Sequence, residues 1–259
     1  MILIDTHCHL YSEEFNNDVE AIIFRAKENN VKKFLLPAID STTHAAMFEV
    51  EKNFSNECFA MIGLHPCSVK ENVEEELMLV KQWLDKRKFI AIGEIGLDFY
   101  WDKTFTEQQY AAFEMQMQWA LNLQLPIVIH TRNAMKETIE AVTPFAKKGL
   151  KGIFHCFGES YEIAKQIIDL DFLLGIGGVV TYKKSGLAET LKNISLQHIV
   201  LETDAPYLTP VPFRGKRNES SYLKYIAEKI AEIKNISVEE VANNTTTNAE
   251  KLFRNFSGE

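Results

Sequence analysis

The segment Ile2-Leu3-Ile4-Asp5-Thr6-His7-Cys8-His9 sets the pattern that decides the fold. In it, a short apolar, β-branched run ends in side chains of the metal-binding type, and an amphipathic stretch follows. The pattern recurs along the chain, with apolar runs at Ile2–Asp5, Lys33–Pro37, Phe59–Gly63, Phe89–Gly93, Ile127–His130, Gly152–His155, Phe172–Ile176 and His198–Leu201. Because these runs are apolar on both faces, they suit strands of a parallel sheet that helices cover.

Stretches with helical periodicity lie between the runs. They include Asp18–Asn30, Thr106–Leu123, Asn133–Lys148 and Tyr161–Asp169. Strands that alternate with helices through about 250 residues predict an α/β fold, the closed (β/α)8 TIM barrel. An open doubly wound sheet is the alternative, and it is disfavoured because no Gly-rich phosphate loop follows the first run. After the eighth run, three further segments predict extra C-terminal helices: Ser220–Ile233, Val238–Val241 and Asn248–Phe256.

Composition and charge limit the possible functions. The chain has 28 basic and 36 acidic residues among 259, a net charge of −8, and no Ser/Gly/Pro-rich linker, so a single domain over residues 1–259 is expected. A net acidic protein is unsuited to coating nucleic acid, although a nuclease with a local basic patch remains compatible. The longest uncharged apolar run, Phe172–Val180, is too short to cross a bilayer.

The cellular location is also addressed by the sequence. The N-terminus has neither the basic region nor the long apolar stretch of a signal peptide. The four cysteines of a chain without an export signal indicate reduced thiols rather than a disulfide framework. We therefore expect a cytoplasmic protein.

Side chains of the metal-ligand type recur at the carboxyl ends of the predicted strands, where a TIM barrel builds its active site. Five of the seven histidines occupy such ends: His7, His9, His65, His130 and His155. Glu94 and Asp204 follow the fourth and eighth runs. A His-x-His pair such as His7 and His9 is a weak signal by itself, but donors at four further strand ends make a metal centre the favoured interpretation.

The strand ends offer six donors, which is more than the three protein ligands of a typical catalytic zinc. These are His7, His9, Glu94, His130, His155 and Asp204. They predict two divalent ions with Glu94 as the bridging carboxylate. His7, His9 and Asp204 are expected at one ion, because the first and eighth strands are neighbours in a closed barrel, and His130 and His155 at the other. Magnesium, manganese, zinc and nickel all accept such mixed nitrogen and oxygen donors.

Four segments resemble the signature motifs of the TatD family of metal-dependent deoxyribonucleases, which belong to the amidohydrolase superfamily of barrels. They are Asp5–His9, Gly93–Asp98, Leu201–Leu208 and Arg214–Asn218. The resemblance continues to Asn248–Phe253 and so covers essentially the whole chain. It implies a (β/α)8 barrel, divalent metals and hydrolysis of phosphodiester bonds in DNA, often from an end, and it assigns the family's ligands to the same six positions.

Two positions depart from the commoner pattern of that family. Cys67 stands where many members have a second histidine after the His-Pro pair, and Asn133 stands where an aspartate is common. Because neither position is among the six donors, these departures bear on substrate preference rather than on metal binding.

Two-metal hydrolysis assigns roles to individual carboxylates. Asp204 is expected to accept the proton of the attacking water, and Glu94 to bridge the ions, which makes these two the candidate catalytic residues. Glu202, two residues before Asp204, is expected to accept a hydrogen bond behind the metal ligands.

The substrate contacts are expected around the barrel mouth. Arg132 follows His130, and Arg214, Lys216 and Arg217 form a basic cluster after the eighth run. Loops at this end of a TIM barrel frequently bind phosphate, and an arginine can contact two phosphate oxygens. His65 is expected to touch substrate or an outer group rather than a metal ion.

The expected partner is DNA as substrate, as a single strand or an end, handled by a monomer or weak oligomer without a membrane. Two alternatives remain. The same barrel could hydrolyse an amide or ester, such as the aminoacyl ester of a transfer RNA, because activated water attacks many electrophiles. A non-catalytic binding barrel is disfavoured, because all six donor positions are intact.

Overall fold

A computed structural model describes residues 1–254 and 256. In this part of the chain, strands and helices alternate. The strands are β1 Leu3–Asp5, β2 Val31–Pro37, β3 Cys58–Met61, β4 Ile92–Asp98, β5 Ile127–Arg132, β6 Gly152–Phe154, β7 Leu173–Ile176 and β8 Ile199–Leu201. The helices are α1 Val19–Glu28, α2 Ser41–Asn53, α3 Val73–Lys86, α4 Thr106–Leu123, α5 Met135–Ala146, α6 Tyr161–Asp169, α7 Leu187–Lys192, α8 Leu223–Lys234 and α9 Val238–Leu252.

The strands pair in parallel and in chain order, β1 to β3 and β4 to β8. Isolated β-bridges connect these two groups of strands at both edges, between Ile62 and Ile92 and between Cys8 and Ala205. The backbone N–H of Thr6 also donates to Leu201 O at 3.0 Å. The hydrogen-bonded order therefore returns from β8 to β1. The predicted (β/α)8 barrel is confirmed, and the open doubly wound sheet is wrong.

Two clusters of buried side chains stabilise the barrel. The larger cluster packs the strands against the surrounding helices. The smaller one takes apolar side chains from alternate strand positions, such as Ile4, Leu35 and Val128, and it includes Phe253 at the end of α9. Because the neighbours of these residues along each strand face the helices, the smaller cluster fills the barrel interior. In the described residues, no helix has the length and apolarity that a membrane crossing requires.

Helix α9 covers the end of the barrel where the strands begin. The Thr246 hydroxyl donates to Ile2 O at 2.8 Å, just before β1, and the Asn248 amide donates to Ile199 O at 2.8 Å, at the start of β8. The opposite end, where the strands finish, is left to the connecting loops.

The C-terminal prediction needs a correction. Val238–Val241 and Asn248–Phe256 were expected as separate helices, but Val238–Leu252 is one continuous helix. The polar residues between the two segments interrupt the apolar periodicity of the sequence. Thr245 can nevertheless lie on the buried face of the helix, because its hydroxyl donates to Val241 O at 2.9 Å. Asn255, which the second expected helix includes, lies outside the described residues.

Candidate metal centre

The backbone beyond the ends of β1 and β8 brings the first donors together. Asp204 N–H donates to His7 O at 2.9 Å, and His9 N–H donates to Ala205 O at 2.8 Å. These bonds hold the two segments side by side at the barrel mouth. The Nε2 atoms of His7 and His9 lie 3.3 Å apart. Two nitrogens at about 2.0–2.1 Å from one tetrahedral zinc ion would be separated by about 3.3–3.4 Å, so this pair fits a shared divalent ion.

Glu94 lies between the two groups of donors. Its Oε2 is 3.2 Å from His7 Nε2, whereas its Oε1 is 3.0 Å from His130 Nδ1 and 3.6 Å from His155 Nε2. The side chain is 3% exposed. Each carboxylate oxygen thus faces a different set of imidazoles, which is the arrangement that a bridging ligand needs.

Asp204 closes the cluster from the β8 side. Its Oδ1 lies 3.6 Å from His9 Nε2, 3.7 Å from His7 Nε2 and 3.9 Å from His155 Nε2. The backbone of Asp204 has φ +57°, a left-handed conformation that aspartate tolerates better than most residues. The donor atoms form triads in which all three atoms lie within 4.8 Å of one another. Three of these triads contain the six predicted donors together with His65: His7, His9 and Glu94; His7, His155 and Asp204; and His65, Glu94 and His130.

The grouping of His155 differs from the expected one. We expected it beside His130, but its ring stacks on that of His7, with centroids 3.6 Å apart and planes at 14°. Its Nε2 therefore faces both Glu94 and Asp204. His155 belongs geometrically to both halves of the cluster.

His65, rather than the expected His155, lies beside His130, with ring centroids 4.3 Å apart. Its hydrogen bonds indicate that it is a donor toward Glu94. Its Nδ1 accepts the backbone N–H of Cys67 at 3.0 Å. A neutral imidazole with Nδ1 as acceptor carries its proton on Nε2, and this Nε2 lies 3.5 Å from Glu94 Oε1. In this tautomer His65 is a donor toward Glu94.

The electrostatics of the cluster favour the metal-binding forms of three donors, His7, Glu94 and Asp204. Burial lowers the pKa of His7, so its imidazole stays neutral. Burial alone would raise the pKa of Glu94, but His7, His65 and His155 hold it well below its usual range. Burial opposes the ionisation of Asp204 as well, yet the nearby His155 and His9 lower its pKa. The structure thus presents ionised carboxylates beside imidazole nitrogens.

Two carboxylates behind the donors orient them. Asp98 Oδ2 lies 2.8 Å from His130 Nε2, which directs His130 Nδ1 toward Glu94. Glu202 Oε1 lies 3.0 Å from His155 Nδ1 and accepts the Cys156 N–H at 2.6 Å, where the sequence predicted an acceptor. Burial opposes protonation of His155, but Glu202, Glu94 and Asp204 raise its pKa to about 10.

Sequence reasoning missed Asp98 and Tyr11. Asp98 was quoted only as part of a motif, although its position at the end of β4 was a usable signal. Tyr11 lay outside every motif. Its hydroxyl donates to Pro37 O, and its oxygen lies 2.8 Å from His9 Nδ1.

Among residues 1–254 and 256, some basic side chains at the mouth have a carboxylate partner and others have none. The guanidinium of Arg132 lies 3.9 Å from the ring centroid of Tyr100, and that of Arg214 lies 4.4 Å from the ring centroid of Tyr182. Lys216 is exposed beside Phe213. Arg217, by contrast, forms a bidentate pair with Asp18, with one N–O distance of 3.0 Å. Its place in the predicted phosphate cluster is therefore corrected: its charge serves a structural ion pair.

The two departures from the family pattern occupy turns. Cys67 lies in the 3-10 turn that follows β3, and its N–H is the donor to His65. Asn133 has φ +53°, a left-handed conformation in which asparagine and aspartate are both favoured. The backbone therefore accommodates either residue at position 133.

A (β/α)8 barrel with buried histidines and carboxylates at the carboxyl ends of its strands defines the class of metal-dependent barrel hydrolases. The sequence profile of the family described as "TatD related DNase" matches residues 4–254. The chain belongs to the TatD family and is a metal-dependent hydrolase.

Individual relatives agree with this assignment. The chain is 40% identical to the uncharacterized metal-dependent hydrolase YabD of Bacillus subtilis (strain 168), over 98% of this chain and 99% of that protein. It is 30% identical to the 3'-5' ssDNA/RNA exonuclease TatD of Pantoea ananatis, over 97% and 99% of the two chains. Its fold superposes on the crystal structure of YjjV, a TatD homolog from Escherichia coli K12, with a TM-score of 0.91, 28% identity and coverage of 97% and 98%.

Proposed function

We propose that this hydrolase cleaves phosphodiester bonds of DNA and acts as a 3'-5' exonuclease on single strands or ends. The observation that carries the proposal is the juxtaposition of a buried cluster of metal donors with cations at the mouth, Arg132 among them, on a protein of net charge −8. Cations gathered at the mouth of a net acidic protein favour the binding of phosphate there. The activity in the name of the Pantoea ananatis relative is of the same kind.

We further propose two divalent ions held by the six donors. His7, His9 and Asp204 would bind one ion and His130 the other. Glu94 would contact both ions, and His155, expected beside His130, lies near both groups of donors. Such ions supply Lewis acidity that activates water and offsets the charge gathering on phosphate. The candidate metals are magnesium, manganese, zinc and nickel, all of which accept this mixture of nitrogen and oxygen donors.

The chain's own residues complete the chemistry. Asp204, whose side chain is 13% exposed, would accept the proton of the attacking water. Arg132, Arg214 and Lys216 would contact phosphate oxygens as substrate-binding residues. His65 donates toward Glu94 and so would keep that carboxylate fixed during the reaction. We take residues 1–259 to act as one domain, since α9 from the C-terminal part covers the base of the whole barrel.

The decisive experiment uses purified protein and single-stranded DNA labelled at its 5' end. With added magnesium or manganese, we expect a ladder of products that shorten from the 3' end, and no products with excess chelator. A DNA labelled at its 3' end should release the label first. If the protein binds metal but leaves DNA intact while it hydrolyses an aminoacyl ester or an amide, the nuclease proposal is wrong and the alternative hydrolase is correct.

A further inference from the structure

We propose that Trp101 and Tyr100, with Arg132, form a subsite that stacks an unpaired base of the strand being cleaved. The inference deepens the proposed nuclease function and rests on it for the identity of the ligand. Trp101 is 67% exposed and Tyr100 is 51% exposed, among the largest exposures of any aromatic side chain in the described residues. Burial of such rings is favourable, so their presentation to solvent at an active-site mouth requires an explanation.

The loop that carries these rings is firmly held, although the rings themselves are exposed. Asp98 Oδ1 accepts the backbone N–H groups of Tyr100 at 2.9 Å and Trp101 at 3.1 Å. Further along the loop, Lys70 Nζ pairs with Asp102 Oδ2 at 2.7 Å. These contacts fix the backbone under the rings. A ligand would therefore meet a preorganised surface and would not have to order the loop.

The same aspartate connects the loop to the metal donors. Its second oxygen, Oδ2, lies 2.8 Å from His130 Nε2, and His130 Nδ1 lies 3.0 Å from Glu94. A single carboxylate thus separates the backbone of Tyr100 and Trp101 from a donor of the cluster. The backbone that carries the rings is therefore linked to Glu94 through Asp98 and His130.

In the proposed subsite, Arg132 would contact phosphate while the rings of Tyr100 and Trp101 would contact the base. In the sheet, Arg132 of β5 lies opposite Asp98 of β4. Its guanidinium lies 3.9 Å from the ring centroid of Tyr100 and 5.1 Å from that of Trp101. Within the described residues, no carboxylate forms a salt bridge with it, so its N–H groups are available to phosphate. Tyr100 and Trp101 meet edge to face at 85°. Because the guanidinium is closer to Tyr100, Trp101 offers the more open ring face to a base.

The chemistry of this arrangement selects unpaired nucleotides. Every base has a flat π face, so stacking on tryptophan is tolerant of sequence, and removal of one such ring weakens binding by about tenfold or more. Bases within a duplex are already stacked on their neighbours. The subsite therefore favours a single strand or a frayed end.

The test measures binding of a phosphorothioate oligothymidylate, which resists hydrolysis, by fluorescence anisotropy in magnesium. Trp101→Ala should bind about tenfold more weakly, and Trp101→Phe should retain most of the affinity because it keeps an aromatic face. Phe24→Ala is the matched control, since Phe24 is 63% exposed on α1, away from the mouth, and its loss should change nothing. A second oligonucleotide with abasic residues at its 3' end should bind wild type and Trp101→Ala equally.

Each outcome bears on the subsite separately from the nuclease function. Wild-type affinity in Trp101→Ala, or an equal loss for the abasic strand, would overturn the subsite. Absence of metal-dependent cleavage by wild type, together with the expected binding differences, would overturn the nuclease function and leave the subsite in place. Where wild type does cleave, Trp101→Ala should raise KM about tenfold with little change in kcat.

Discussion

At the scale of single residues, hydrogen bonds behind the donors decide which nitrogen of each imidazole faces the metal site. Tyr11 illustrates this. Its hydroxyl hydrogen is directed to Pro37 O, so its oxygen accepts the proton on His9 Nδ1 at 2.8 Å. The lone pair of His9 is then on Nε2, the atom that faces Asp204. Asp98 acts in a comparable way from the other side of His130, where it leaves Nδ1 for the cluster.

Replacing Tyr11 by phenylalanine should weaken metal binding by about 10- to 100-fold, since the tautomer and orientation of His9 would no longer be held. The measurement is competition with a chromophoric chelator. Tyr207→Phe is the control, because the Tyr207 ring also lies near His9, with centroids 6.2 Å apart, but is 54% exposed at the surface. Equal affinities in both variants and wild type would refute the assigned role.

Replacing Asp204 by asparagine should give a folded protein whose hydrolysis is slower by at least about 100-fold, because a neutral amide cannot accept the proton of water. Initial rates on single-stranded DNA in manganese provide the measurement, and circular dichroism verifies the fold. Asp169→Asn, an exposed carboxylate on α6, should behave as wild type. A rate near that of wild type for Asp204→Asn would contradict the assignment.

At the scale of elements, one end of the barrel carries the candidate metal site and the other end is closed by α9. The carboxyl-terminal parts of the strands and the loops beyond them carry the donors, Arg132, Arg214 and the exposed aromatic rings. The amino ends are covered by α9, whose Thr246 and Asn248 satisfy backbone carbonyls next to β1 and β8. Phe253, completely buried in the interior cluster, follows directly from this helix. Stability and chemistry are thus assigned to opposite ends.

Replacing Phe253 by alanine should lower the free energy of unfolding by about 3–5 kcal/mol, because a large buried ring leaves a cavity in the barrel interior. Urea unfolding followed by circular dichroism measures the change. Lys251→Ala, an exposed position on the same helix, should shift it by no more than about 0.5 kcal/mol. A similar small effect for both variants would show that α9 does not anchor the barrel.

At the scale of the whole molecule, the barrel gathers donors from five of its strands into one buried cluster. Glu94, Asp204 and the supporting Glu202 concentrate negative charge among the imidazoles, in a protein whose net charge is already −8. Bound cations would relieve this repulsion and link β1, β4, β5, β6 and β8. Metal binding and folding stability should therefore be coupled.

Removal of divalent ions with a chelator should lower the melting temperature, and excess manganese should restore it. A ligand that binds only the native state adds about 2.7 kcal/mol at a free concentration 100 times its dissociation constant. Thermal unfolding with and without manganese measures the coupling, and Glu94→Gln should abolish most of it because both ions would lose a ligand. An identical melting temperature in chelator and in saturating manganese would exclude it.

One strand was misplaced: the fourth was expected at Phe89–Gly93 with Glu94 after it, but β4 spans Ile92–Asp98 and Glu94 lies within it. From the sequence we could predict the alternation of strands and helices, the limits of α4 and α6, and which five strands supply the six donors. These follow from side-chain periodicity, which is a local property. The sequence did not show that Val238–Leu252 is one helix, because the helix backbone itself accepts the hydrogen bond of the buried Thr245 hydroxyl. It also placed too few residues behind the donors: the strand-end position of Asp98 was a signal that we did not use, and Tyr11 lies outside every motif.

Which side chains meet depends on the tertiary structure. The pairing of Arg217 with Asp18 joins residues separated by 199 positions, and that pairing removes one cation from the predicted phosphate cluster. The stacking of His155 on His7, and the position of Glu94 with one oxygen toward each group, likewise depend on how the loops leave the strands. Periodicity specifies the face on which a side chain lies, whereas its partner is set by long-range packing and by competition among many possible contacts.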